Sequence, residues 1–205
     1  MPVMFFSFDG VDGTGKSTQI RLLAEALRGL GRDVVTCRDP GSTALGERLR
    51  EILLHHDATP IHRRSEMLLY MASRAQLVEE VIRPALAEGK IVLSDRFLLA
   101  NVVYQAHAGG LAAEDVWRVG EVTVAGVQPR VVFLMDMPAE RAAERIQRAR
   151  DRMEAQGSEF FERVRAGFLK EAARLGERVV VVNADRPVEV IQAEVLGVAR
   201  RVLGV

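Results

Sequence analysis

Lys16 and Ser17 close the stretch Gly10-Val11-Asp12-Gly13-Thr14-Gly15-Lys16-Ser17-Thr18, which fills the spacing G-x-x-x-x-G-K-[ST]. Glycines at these intervals let successive backbone N–H groups curl around phosphate oxygens, and a helix starting at the lysine adds its positive end. In such a loop the backbone of Gly10 to Thr18 cradles a triphosphate. Lys16 reaches the β- and γ-phosphates, and the Ser17 hydroxyl faces Mg²⁺. The motif carries meaning only between a strand and a helix. An apolar run at 3–8 precedes it, and Ile20, Leu23, Leu27 and Leu30 follow at helical spacing. The sequence therefore predicts a binding site for a nucleoside triphosphate.

The elements that must position this loop can be read from alternating apolar patterns. Short β-branched runs at 3–8, 33–37, 91–94, 131–135 and 179–182 predict buried strands. Helical periods fall at 16–30, 65–86, 114–124, 139–150, 160–176 and 188–202, with Pro84 expected to kink or break the second. This alternation predicts an α/β fold with a five-stranded parallel sheet and helices on both faces, within one domain over 1–205. Ligands of such sheets bind beyond the carboxyl ends of the strands. Asp95 and Arg96 follow the third run. There Asp95 would lie near Mg²⁺, usually through water, as an acid often does in P-loop proteins. A plainer reading makes Asp95 a structural carboxylate that receives backbone N–H bonds.

Composition excludes several classes. Lys plus Arg and Asp plus Glu number 28 each, so no global field draws the chain to nucleic acid or a membrane surface. The single cysteine, Cys37, forms no internal disulfide and is expected to pack as a small apolar residue. No apolar run approaches the ~20 residues that span a bilayer, and a cytoplasmic protein is expected. Arg141, Arg145, Arg148, Arg150 and Arg152 crowd one stretch. Such a run is ordinarily a solvated face. Beside a triphosphate site it predicts an arginine-rich lid at about 141–157 over the transferring phosphate.

Several motifs narrow the choice among triphosphate-binding chains. Phe8-Asp-Gly-Val-Asp12-Gly-Thr-Gly-Lys-Ser-Thr-Gln19, Arg38-Asp-Pro-Gly-Ser-Thr43, Tyr70-x-x-x-Arg74, Ile82-x-Pro-Ala-Leu86, Asp95-Arg-Phe97, Tyr104-Gln105 and Asp151-Arg-Met-Glu154 occur in that order. Together they resemble the thymidylate kinase (dTMP kinase) family over nearly the whole chain. The resemblance implies a P-loop kinase fold, transfer of the γ-phosphoryl of ATP to dTMP with Mg²⁺, and a homodimer. It implies that Arg96 and Arg50 hold the acceptor phosphate and that Asp12 lies near the deoxyribose 3′-hydroxyl and the metal. Tyr70 would stack on thymine, Arg74 would donate to its O4, and Asn101 would meet the N3–O4 edge. Tyr104 would crowd the sugar's 2′ position beside Gln105. Arg38 and Pro40 would line the acceptor site, with Pro40 after a cis peptide. Arg148 and Arg152 would serve the transferring phosphate, and Arg145 would pack near adenine with the loop 183–187. Ordinary core aromatics at Tyr70 and Tyr104, and an ion-pair role for Arg74, are the plainer alternatives.

The chain departs from the family pattern at some positions. Asp9 and Asp39 replace glutamates, Ser42 a glycine and Ala100 a serine, and Ala106-His-Ala-Gly-Gly110 lacks the usual arginine. Gly13 stands where one branch carries a basic residue, a form paired with lid arginines. His107 is expected to be a loop residue. A related kinase for another deoxynucleoside or its monophosphate remains an alternative, as does a non-catalytic P-loop binding protein. A GTP switch is disfavoured, because Asn183-Ala-Asp185 lacks the lysine of an Asn-Lys-x-Asp motif.

Overall fold

The polar residue just past each apolar run belongs to the strand, and this brings the chemistry to one edge of the sheet. The computed structural model describes residues 4–55, 60–146, 152–153 and 156–205. Among these the strands are β1 (Phe5–Asp9), β2 (Val34–Arg38), β3 (Ile91–Asp95), β4 (Val131–Asp136) and β5 (Val179–Asn183). They lie in the order β2-β3-β1-β4-β5, and every neighbouring pair is parallel. Asp9, Arg38, Asp95, Asp136 and Asn183 each end a strand. Because all strands run the same way, these five polar ends share the carboxyl edge, where ligands of open sheets bind.

Strand alternation sends side chains to two cores. Phe6, Phe8 and Leu93 face the side covered by Ile20, Leu23 and Leu27 of α1 (Lys16–Gly29), with α8 (Ser158–Leu175) and α9 (Val188–Leu203). Phe5 and Val92 face Met67, Met71 and Leu77 of α3 (Arg63–Leu77) and Val116 of α6 (Ala113–Val124). The expected sheet with helices on both faces is thus the observed one.

Three helical expectations need correction. The stretch 65–86 is α3, a π turn at Val78–Ile82, then α4 (Arg83–Ala87). Pro84 falls in the first turn of α4, where its missing N–H is tolerated, and the wider π turn precedes it instead of a break. The helix expected at 139–150 is α7 (Ala139–Glu144), which ends in a turn at Arg145. The sequence reading also passed over α2 (Ala44–Leu54), whose N-cap Thr43 accepts a hydrogen bond from the Gly46 N–H at 2.9 Å. It passed over α5 (Leu98–Asn101) and the π segment Val102–His107 as well. His107 therefore ends a helical segment and is not a loop residue. No helix among the described residues is long and apolar enough to cross a membrane.

Candidate active site

Three glycines with positive φ shape the loop after β1: Gly10 at 133°, Gly13 at 86° and Gly15 at 86°. Two of them also allow close approach. A Cβ on Gly10 would lie 2.4 Å from the Met135 carbonyl oxygen, and one on Gly13 would lie 2.0 Å from that of Ala142 in α7. The loop is therefore pressed between β4 and α7, and α1 starts at Lys16. Lys16 is buried, and its Nζ donates to Val11 O at 2.8 Å, Gly10 O at 3.1 Å and Asp12 Oδ1 at 3.4 Å. Burial and the nearby Arg96 cation lower its pKa, against the pull of Asp12 and Asp95. Ser17 and Thr18 are exposed at the loop's end, and Thr14 Oγ1 bonds back to Val11 O at 2.9 Å.

The Ser17 hydroxyl donates to Asp95 Oδ2 at 2.7 Å. A hydroxyl and a carboxylate, side by side and open to solvent, are hard oxygen donors of the sort Mg²⁺ takes, with water and phosphate completing its shell. The expected pair therefore fits that ion. Asp9, deeper in the site, is fully buried; it accepts from Ser7 Oγ at 3.1 Å, and its Oδ1 has no partner among the described residues. Burial pushes its carboxyl up to about 6 despite the nearby Arg96 and Lys16.

Arg96 adopts a left-handed backbone, φ 68°, immediately after β3. This turn aims its guanidinium back at the phosphate loop. One nitrogen donates to Gly10 O at 2.9 Å and the other to Asp12 Oδ1 at 2.6 Å, and the group lies 5.1 Å above the Tyr104 ring. Burial alone would raise the Asp12 pKa, but Arg96 and Lys16 hold its carboxyl well below the usual range. Asp12 is thus an anion clamped between two cations.

On the far side of Arg96 is a pocket lined by Asp12, Pro40, Arg50, Tyr70, Arg74, Arg96, Asn101, Tyr104 and Gln105. Every residue expected at the acceptor is there except Arg38. The Arg38 guanidinium instead pairs with Glu47 at 2.7 Å and faces a separate hollow beside Ser17 and Asp95. The Asp39–Pro40 peptide is cis, as the resemblance implies, and Arg50 Nη1 donates to Pro40 O at 3.0 Å. On the pocket floor Arg74 is fully buried, with Nε 2.5 Å from Asp39 Oδ2 and Nη1 2.9 Å from Asn101 Oδ1. Arg74 is therefore an ion-pair partner and a pocket residue at once.

The arginine-rich stretch divides in two. Arg141 and Arg145 both reach Asp185, at 3.1 and 3.3 Å, and Arg145 also donates to Ala184 O at 3.2 Å. Arg145 thus meets the loop at 183–187. Arg152 does not reach the phosphate loop. Its Nε donates to Leu53 O at 2.7 Å and its Nη2 to Glu66 Oε2, behind the Leu54 and Met153 lining of the acceptor pocket. Arg148 lies outside the described residues, as do Arg150, Asp151 and Glu154. The His107 ring bonds Glu171 at 2.8 Å, a contact within the protein.

Sequence reasoning missed Asp39, Leu54, Ala100 and Met153 in the pocket lining, and Glu66 behind it. Glu66 had a legible signal. It lies four residues before Tyr70 and eight before Arg74, on the same helix face.

Comparison with known proteins completes the picture. A family profile described as thymidylate kinase matches residues 8–195. The chain is 47% identical over 188 residues to a thymidylate kinase of Rhodopirellula baltica, covering 92% of this chain and 76% of that protein. It is 45% identical over 201 residues to one of Exiguobacterium sp., covering 96% and 93%. A crystal structure of thymidylate kinase from Ehrlichia chaffeensis superposes with a TM-score of 0.80 at 30% identity, over 97% of this chain and 98% of that one.

Proposed function

The chain belongs to the thymidylate kinase family, and from that membership we propose how its residues carry the γ-phosphoryl of ATP to dTMP, giving dTDP and ADP. The observation that supports the assignment most directly is Arg96, which borders the acceptor pocket while bonded to the phosphate loop at Gly10 and Asp12. Two polyanions must meet end to end, and a cation at their junction lowers the repulsion between them.

The loop amides and Lys16 hold the donor phosphates, while Arg96 and Arg50 clasp the 5′-phosphate of dTMP. The attacking oxygen already carries negative charge, so the transfer needs alignment and charge neutralisation more than a general base. Asp12, kept ionised between Lys16 and Arg96, accepts from the deoxyribose 3′-hydroxyl. Asn101, oriented by Arg74, meets the N3–O4 edge of thymine, and Tyr70 and Tyr104 bound the base and sugar. Ser17 and Asp95 hold Mg²⁺, which neutralises phosphate charge when bound. Arg145 serves the adenine end, and Arg148 the transferring phosphate.

The same reading takes residues 1–205 as one domain in the cytoplasm, supported by a lone buried Cys37. It takes the protein as a homodimer, supported by the exposed Leu68 on α3 and Val122 on α6. The test is ADP release from MgATP with dTMP, dUMP, dCMP and dGMP in turn. dTMP should turn over fastest, and equal rates with dCMP would overturn the thymine assignment.

A further inference from the structure

We propose that Glu66 is a positioning residue of the acceptor site: its buried carboxylate holds Arg152, and through it Met153 on one wall of the pocket, and ties that wall to the amides facing the base. The proposal rests on the acceptor assignment above.

Glu66 lies in the first turn of α3 and is 0% exposed. A buried carboxylate persists only when its oxygens are matched by donors. Oε1 accepts from Arg63 Nη1 at 3.1 Å and Gln105 Nε2 at 3.0 Å, and Oε2 accepts from Arg152 Nη2 at 2.5 Å. Arg152 is fixed on its other side as well, with Nε 2.7 Å from Leu53 O and its backbone N 3.2 Å from Leu54 O. These carbonyls end α2, where a cation is favoured. Gln156 adds a brace, accepting from Arg63 at 3.0 Å and donating to Arg152 O at 3.3 Å. The next residue, Met153, is buried and lines the acceptor pocket.

Glu66 also ends a chain of hydrogen bonds with a single sense. Arg74 Nη1 donates to Asn101 Oδ1, Asn101 Nδ2 donates to Gln105 Oε1 at 2.6 Å, and Gln105 Nε2 donates to Glu66. A guanidinium can only donate and a carboxylate can only accept, so the two ends fix how both amides are turned. One group thereby sets the wall carrying Met153 and the orientation of Gln105. The contacts of Arg152 place it behind the acceptor wall that carries Met153.

Steady-state kinetics of the full chain with Glu66→Gln, Arg152→Gln and the double variant test this, using whichever monophosphate the unaltered protein takes fastest. A change in that preferred acceptor would revise the function assignment alone, because the comparison among variants stands on any acceptor. Each single variant should raise the acceptor KM about tenfold, as expected for a lost charge-assisted bond. The KM for ATP should stay within about twofold, the mark of lost acceptor binding rather than lost chemistry. The double variant should be no worse than Glu66→Gln alone, because that change already breaks the contact that Arg152→Gln removes. Multiplying effects in the double variant would overturn the proposal. So would a drop in kcat for Arg152→Gln at unchanged acceptor KM. If Glu66→Gln fails to fold, Arg152→Gln decides by the KM-against-kcat split alone.

Discussion

Arg96 Nη2 stands 2.6 Å from Asp12 Oδ1, joining the end of β3 to the middle of the phosphate loop by a charged hydrogen bond. An acid inside a phosphate-binding loop opposes its ligand electrostatically. Here the acid is neutralised on both sides, by Arg96 and by Lys16, and both cations remain directed at the place where two phosphates would meet. Asp12 therefore aligns the cations more than it repels the nucleotide.

Arg96→Ala should raise the KM for dTMP at least about tenfold, since a charge-assisted hydrogen bond is worth about 1.5–3 kcal/mol. Arg96→Lys should not restore it, because a point charge cannot meet Gly10 O, Asp12 and a phosphate in one plane. Steady-state kinetics with saturating MgATP check both variants, and an unchanged KM would count against the clasp.

Gly13→Ala should damage the donor side. Its Cβ would fall 2.0 Å from the Ala142 carbonyl oxygen at a φ of 86°, so either α7 or the loop must move. A side chain in this left-handed region costs about 1–3 kcal/mol before any clash is counted. The KM for ATP should rise and the urea midpoint should fall, with dTMP affinity measured alone unchanged. If ATP kinetics and midpoint both stay put, α7 yields without cost.

Asp9 should give the ligand-free protein a stability that declines across mildly acidic pH. Its carboxyl titrates near 3.8 when exposed and at about 6 in the folded chain, because burial disfavours the charged form. Between those values the folded state keeps a proton that the unfolded state has lost, so stability falls as pH rises from about 4 to about 6 and then levels. The difference corresponds to about 3 kcal/mol. Asp9→Asn should remove this decline, as urea unfolding at successive pH values would show. Parallel curves for the two proteins would rule it out.

The sheet was legible because each strand is a short apolar run, aromatic in β1 and rich in valine or isoleucine in the others, with turn or charged residues at its ends. The pattern stopped short at Asp9, Arg38, Asp95, Asp136 and Asn183, since hydrophobicity cannot show that a polar residue continues a ladder. The phosphate loop was readable from its glycine spacing together with the apolar run before it and the helical period after it. The acceptor pocket was readable only through resemblance, because Arg50, Tyr70, Arg96 and Asn101 come from four separate segments. Arg38 was misplaced because its motif fixes the chain at Asp39–Pro40 while its own side chain turns outward to Glu47. Glu66 was passed over because an acid in a helix ordinarily marks the solvated face, and only the fold shows this one facing three donors.

The π segment Val102–His107 has a consequence for how economically the acceptor pocket is made. In an ordinary α-helix, adjacent side chains diverge by about 100° around the axis. Wound more loosely, with bonds spanning five residues, the segment narrows that divergence, and Tyr104 and Gln105 both border the same cavity. Two successive positions thus present an aromatic surface and an amide to one cavity, where an α-helical turn would spread them further apart around the axis.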